Sequence, residues 1–529
     1  MQESKNKNGI TRRDVLKAVG MGAIYSMLPY HALSSEKDDF KRANGRGIIF
    51  IVGDGMPLGV IRAMHEIKTR VNGDAGTFFY NRFNDKNTLL SFMGTSSLSS
   101  IVTDSAPASV AWATGSKTAN RMLSVLPDGR HLKTIAELAK ENGYACGFVT
   151  TTRVTHATPA AWVSHSAHRD REDDIALDYL KLMPDVILGG GSKHFDSTKR
   201  KDSRDLFKEF ETAGYDVTRD RNGLISQQKS ESKRPLLGIF NQSHLSYYVD
   251  RINNTELGGS QPTLAEMTLV ALKRLSTNSK GFILQIEAGR IDHANHSNDA
   301  WAAIMDTNEL DITLGVVEQY LKANPDTLVI LTSDHGNSGW GINGTGPDYN
   351  DATEALKKYT GIKASFEVIS KKLKGKQPNE IKDIVEYYTS FKIYDNEAAM
   401  IYESIQPGYK PYPSDFVYQP DATLGKILSH SIYEKNEKGK TKLPAALRRG
   451  NVGFTSTNHT GEDQIVLAYG GTDRLNMRRY VDNTDLFGVM CDYLGIKHRN
   501  PSMSENEAKP LVKTASWDEW LRHMELHIA

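Results

Sequence analysis

Cysteine is nearly absent from this chain: Cys146 and Cys491 are the only two in 529 residues. At most one intramolecular disulfide can form, so sulfur neither staples the fold nor builds a thiolate metal site. An excess of one charge is missing too. With 65 basic against 64 acidic side chains, there is no basic field to hold a nucleic acid. Beyond the N-terminal region no run of about 18 apolar residues occurs, so no stable membrane insertion is expected. Internal repeats and long low-complexity tracts are also lacking, which excludes solenoids and repeat arrays. What the chain does have is length enough for a large core and 16 histidines.

Near the start, Thr11-Arg12-Arg13-Asp14-Val15-Leu16-Lys17 precedes a short, weakly apolar stretch at 18–28. Paired arginines in this setting resemble a twin-arginine export signal, with Val15 where Phe is usual. The apolar part is too short for a comfortable membrane span. The expectation is therefore a signal and linker over 1–40, export in the folded state to the periplasm or medium, and a single domain over 41–529.

Apolar, β-branched runs at 47–52, 146–150, 186–190, 282–287, 328–334 and 465–469 read as buried strands. Helical patterns over 131–142, 263–275, 300–321 and 484–494 lie between them. Such alternation predicts an α/β fold, a central mainly parallel sheet sandwiched by helices. One region breaks the rhythm. After Asp334-His335 about 120 residues pass before the next strong strand, through Lys- and Glu-rich helical stretches at 354–374, 380–390 and 398–404. A structureless loop of that length is improbable, so 340–450 is expected to be a partly helical insertion over the ligand-bearing edge of the sheet, its charge a solvated face.

In Val102-Thr103-Asp104-Ser105-Ala106-Pro107 a serine stands at a helix start, with Pro107 where a missing N–H is tolerated. The commoner role of such a serine is to cap the helix. The backbone N–H groups and the helix dipole would also stabilise a phosphoryl group there. Polar clusters fall at the ends of other predicted strands: Asp54, His156 with Thr158 and Arg169, Glu287 to His296, Asp334-His335 and, ahead of the last strand, His459. A lone carboxylate or imidazole at a strand end is usually capped or solvated. Several on one sheet edge, without thiolates, suit zinc, and their oxygen-rich subsets suit magnesium. Asp292 and His296 are four apart, which on a helix puts both beside one ion, whereas Glu287 on the strand points to another.

Gly53-Asp54-Gly55-Met56, Thr103-Asp104-Ser105-Ala106, Ala157-Thr158-Pro159-Ala160, Glu287 to His296, Ser333-Asp334-His335 and Asn458-His459-Thr460-Gly461 resemble, in order, the motifs of the alkaline phosphatase family. The resemblance runs from about 47 to 471. It implies a phosphomonoesterase with two zinc ions and one magnesium ion beside a serine nucleophile. Asp292, His296 and His459 are implied for the first zinc, and Asp54, Ser105, Asp334 and His335 for the second. Asp54, Thr158 and Glu287 are implied for the magnesium, with His156 at the same site, and Arg169 for binding phosphate. His156 and His293 stand where compact bacterial members carry an acidic and a basic residue, and resemble the animal-type enzymes. An imidazole at 156 is a poorer magnesium partner than a carboxylate, and His293 offers a hydrogen bond near phosphate without a permanent charge.

The implied partners are small phosphate monoesters, and the oligomeric state stays open between monomer and homodimer. A phosphodiesterase or sulfatase of related fold is the alternative. Sulfatases, however, use Cys/Ser-x-Pro-x-Arg, and Ser105-Ala106-Pro107-Ala108-Ser109 lacks that arginine. A non-enzymatic metal-binding exported protein is the other rival; it would need neither Ser105 nor Arg169.

Overall fold

The computed structural model describes residues 40–407, 409, 420–429, 434–435, 441–442, 449–473, 475 and 477–528. The expected export signal and linker lie, apart from Phe40, outside the described residues. Ten strands form the central sheet. In chain order they are β1 (Arg46–Gly53), β2 (Leu89–Gly94), β3 (Ala145–Arg153), β4 (Val186–Gly190), β5 (Asp216–Thr218), β6 (Leu236–Ile239), β7 (Gly281–Ala288), β8 (Leu328–Thr332), β9 (Gln464–Gly470) and β10 (Tyr480–Asp482). Side by side they run β10-β2-β9-β8-β1-β7-β3-β4-β6-β5. Every pairing is parallel except those of β9, which is antiparallel to both β8 and β2.

The period of two explains the double-sided core. Ile49, Ile51, Leu284, Ile286, Val329 and Leu331 pack on one face, and Ile48, Phe50, Val52, Ile283 and Ile330 on the other. Strands buried on both faces need such continuous apolar runs. Sequence reading passed over β2, β5, β6 and β10, which lack them or are too short. In β2, for example, Leu90 and Phe92 are half exposed.

Register then places the chemistry. Val52 lies opposite both Glu287 and Thr332, and Thr150 opposite Glu287. The central parallel strands therefore end together, and Asp54, Glu287 and Asp334-His335 fall at one edge, where open α/β sheets place ligands. Because β9 runs the other way, the segment preceding it comes to that same edge.

Within the insertion, helices Phe366–Leu373, Pro378–Thr389 and Asp395–Ser404 form where lysine and glutamate are dense. Lys376 and Lys382 pair with Glu380 and Asp395 on the solvated side, as expected. Glu367 corrects the expectation. It turns inward onto Arg290, while the Ser365 and Phe366 N–H groups donate to Asp250 and Asp299 at 2.8 and 2.6 Å. The insertion is thus docked beside the active edge.

Helix Ala300–Ala323 is buried along most of its length and carries Glu309, which pairs with Arg251; both side chains are 2% exposed. Deleting one partner strands a buried charge, which typically costs about 3–5 kcal/mol. Glu309→Ala is expected to lose that much unfolding free energy in a urea titration. A loss below about 1 kcal/mol would show that the pair is solvated.

Candidate functional site

Asp104, not Ser105, caps helix Ser105–Thr114: its Oδ1 accepts the Ala106 N–H at 2.7 Å, and its Oδ2 accepts the Arg121 N–H at 2.5 Å. The serine is thereby released from capping. Its Oγ, fully buried, lies 3.2 Å from His335 Nε2. Arg169 is buried rather than an exposed helix arginine; its Nη1 donates to Asp104 Oδ1 at 3.1 Å and its Nη2 lies 2.9 Å from His156 Nε2. Asp104 thus holds the guanidinium fork beside the nucleophile candidate.

Asp54 follows β1 directly. The next residue, Gly55, has φ 53°, donates its N–H to Asp334 Oδ1 at 2.9 Å, and sits so close to Asp292 that a Cβ would meet Asp292 Oδ1 at 2.3 Å. Only glycine fits. Helix Arg290–His296 presents Asp292 and His296 on one face, with His296 Nε2 3.2 Å from Asp292 Oδ2. Asn337 Nδ2 donates to Asp292 Oδ1 at 2.6 Å. A two-residue ladder, His459–Thr460 antiparallel to Gly336–Asn337, carries His459 into the cluster. There it stacks on His335 at 3.6 Å between ring centroids and reaches Asp292 Oδ1 at 3.6 Å.

The imidazoles are oriented from behind. His296, His335 and His459 each place Nδ1 against a backbone carbonyl, of Thr457, Gly336 and Thr103, at 2.5, 3.1 and 2.9 Å. Donating Nδ1–H fixes the tautomer and turns the Nε2 lone pair inward, the arrangement typical of metal-ligating histidine. Glu287 Oε2 accepts from the hydroxyls of Thr150 and Thr152, and Thr158 Oγ1 reaches Asp54 Oδ2 at 3.5 Å.

Electrostatics ask for cations. Burial, then crowding by Asp334, Asp292 and Glu287, raises Asp54 well above the usual carboxylate range. Burial also raises Glu287. Asp54 Oδ1 and Glu287 Oε1 are buried without a hydrogen bond. Burial works most strongly against a charged His335, but Asp334, 3.2 Å away, together with Asp292 and the Gly336 carbonyl, lifts the ring to about 9, so in the metal-free fold a proton stands on Nε2 where a cation would bind. Burial, reinforced by Arg169 and Arg290 respectively, pushes His156 and His293 down, so both rings stay neutral. Neither lies at a rim: His293 is fully buried, with Nδ1 2.7 Å from Arg290 Nη1.

Among the described residues four groupings could hold cations. Asp292, His296 and His459, with His527, offer mixed nitrogen and oxygen donors, as do Asp54, Asp292 and His335 beside Ser105; Asp54 and Glu287 meet His156 in a third, and His156, His293 and His527 form a fourth of imidazoles alone. Ser105, Thr158, Arg169 and Asp334 border these groupings through His335, Asp54, His156 and His335, so the site residues singled out from sequence lie together. Sequence reasoning missed His527, whose Nε2 lies 3.0 Å from Asp292 Oδ2. The available signal was a pair of histidines four apart, His523 and His527, on the C-terminal helix Trp517–Ile528.

A family model described as alkaline phosphatase matches residues 45–496. Alkaline phosphatase 4 of Bacillus subtilis is 32% identical over 468 residues, covering 87% of this chain and 91% of that protein. The alkaline phosphatase of Thermus thermophilus superposes with a TM-score of 0.78 at 33% identity, over 92% of this chain and 99% of that one. For a cold-active alkaline phosphatase from a psychrophilic Shewanella the TM-score is 0.67 at 29% identity, over 85% and 99%.

Proposed function

Because the chain belongs to the alkaline phosphatase family, we propose that it hydrolyses phosphate monoesters through a phosphoserine on Ser105, at a site built for two zinc ions and one magnesium ion. The observation that carries this is the buried Ser105 Oγ at a helix start, between His335 and an Arg169 fixed by Asp104. Asp292, His296 and His459 would hold the first zinc, and Asp54, Ser105, Asp334 and His335 the second. Asp54, Thr158 and Glu287 would hold the magnesium, with His156 beside it. Mixed imidazole and carboxylate sets support zinc; a carboxylate and hydroxyl set supports magnesium.

Arg169 binds two phosphoryl oxygens with its planar fork, and the dipole of helix Ser105–Thr114 favours the same anion. Ser105 Oγ attacks phosphorus, the ester oxygen leaves as the alcohol, and water then releases phosphate from Ser105. Bound cations supply a lowered serine pKa, charge neutralisation on the phosphoryl and leaving oxygens, and an activated water. Residues 41–529 act in this reading as one catalytic unit. The test is a panel of aryl phosphate, phosphate diester and aryl sulfate with and without chelator. Chelator-sensitive turnover of the monoester far above the others is expected; a preferred diester or sulfate would contradict the reading.

His156 sets the third cation's affinity. A neutral imidazole removes an anion from an oxygen-rich site, so His156→Asp is expected to tighten magnesium binding by about tenfold or more. Magnesium titration into metal-stripped protein checks it, and identical curves would mean that His156 does not face that site. We also propose twin-arginine export. Replacing Arg12 and Arg13 by lysine should leave phosphatase activity in the cytosol, whereas unchanged export would contradict it.

A further inference from the structure

Helix Trp517–Ile528 lies beyond the residues matched by the family model, yet it closes the site. It is docked through several elements. His523 Nδ1 lies 3.0 Å from Asp170 Oδ1, Arg153 Nη2 donates to the Leu526 carbonyl at 2.8 Å, and His244 Nε2 lies 3.0 Å from the His527 carbonyl. These contacts drive the buried His527 ring inward. Its Nε2 sits 3.0 Å from Asp292 Oδ2, and its Nδ1 is 3.0 Å from both His156 Nε2 and Arg169 Nη2.

The distances around Asp292 form a pattern. Asp292 Oδ2 lies 3.2 Å from His296 Nε2 and 3.0 Å from His527 Nε2, Asp292 Oδ1 lies 3.6 Å from His459 Nε2, and His296 Nε2 lies 3.1 Å from His459 Nε2. A tetrahedral ion with bonds of about 2.0–2.1 Å separates its ligands by roughly 3.3–3.4 Å. The separations fall around that value, those of His296 and His527 measured from Asp292 Oδ2 and that of His459 from the other carboxylate oxygen. Asp292, His296, His459 and His527 each offer one ligand atom, and those atoms lie within 4.8 Å of one another.

We propose that His527 is a fourth, displaceable ligand of the cation held by Asp292, His296 and His459, and that phosphate must displace it. The inference rests on reading those residues as a cation site. A catalytic zinc keeps one position open, whereas four protein ligands close it. His527 also occupies the inward arm of Arg169, the group proposed to bind phosphate, so ring and phosphate exclude one another. With an ion bound, His527 Nε2 would face it in place of the proton shared with Asp292, and the neutral ring would carry its proton on Nδ1, donating to His156 Nε2 and no longer accepting from Arg169 Nη2. Phosphate has a way in on the His296 and His459 side, where a cavity of about 820 Å³ runs from Asp104, His296 and His459 to the wall formed by Leu511, Val512 and Trp520.

The experiment uses the full-length chain, metal-stripped, with zinc affinity read by competition against a chromophoric chelator and phosphate binding by calorimetry on the zinc-loaded protein. His527→Ala is expected to weaken the tightest zinc site by about tenfold or more and to tighten inorganic phosphate by about tenfold, because no intrachain ligand competes. His527→Gln keeps groups able to hydrogen-bond Asp292 and Arg169 but offers no imidazole. It should lose zinc affinity as the alanine variant does, and the visible spectrum of cobalt-loaded protein should change in both. Unchanged zinc affinity in either variant overturns the ligand role, and unchanged phosphate affinity overturns the displacement. If wild type binds no zinc tightly, the reading of the Asp292 site fails instead.

Discussion

Ser105→Ala is expected to lose kcat by on the order of 10³-fold or more against an aryl phosphate. The hydroxyl is fully buried and freed from capping by Asp104. Its removal deletes the covalent route and leaves the carboxylates, imidazoles and Arg169 in place. Residual turnover is expected because direct attack by cation-activated water needs no serine. KM should move little, since Arg169, the proposed phosphate grip, is untouched. A variant that keeps more than about a tenth of wild-type kcat would place the nucleophile elsewhere. Thermal unfolding separates loss of chemistry from loss of fold: the serine sits in a helix first turn whose cap is untouched, so the melting temperature should stay nearly constant.

Removing the cations is expected to abolish turnover and to lower the melting temperature by several degrees. A ligand present at about 100 times its Kd stabilises by about 2.7 kcal/mol, which for a large domain is a shift of at least a few degrees. The physical source is visible. Asp54 is raised well above its usual range by burial first and then by Asp334, Asp292 and Glu287. In the metal-free fold its charge is therefore a liability, and because the folded value lies above the unfolded one, that group's contribution to stability worsens as pH rises from the acid side through neutrality. Asp54→Asn removes the charge without changing the shape. The variant is expected to melt higher than metal-stripped wild type at neutral pH and to show a much smaller shift with chelator, read by scanning calorimetry. If chelator leaves wild type unmoved, the buried carboxylates are not cation ligands.

The sheet and the site differ in how legible they were. Strands buried on both faces announce themselves, as in Ile48 to Val52, because alternate side chains enter two different cores. Half-exposed β2 carries no such run, and the reversal of β9 leaves no mark in composition. At the site, Asp54, Glu287 and Asp334 were readable because several carboxylates fall at the ends of apolar runs on one sheet edge, where any one of them alone would read as capped or solvated. For Ser105 the sequence left the commoner capping role standing beside the chemical one, and the backbone geometry gives the cap to Asp104. Arg169 sits in a polar stretch that reads as surface, and it is held in the site by His156 and by Asp104, the latter far from it in sequence. His527 was hidden for the same reason. On an amphipathic helix a His pair reads as a solvated face, and only the docking by Arg153, His244 and Asp170 buries both and sets His527 against Asp292.

The central claim, a phosphoseryl enzyme at Ser105, is open to one direct measurement. Wild type mixed with an aryl phosphate and quenched in acid during turnover should yield a single phosphorylated peptide, the one containing Ser105. Phosphate found on another residue, or none at all at every quench time and pH while the ester is being hydrolysed, would contradict it.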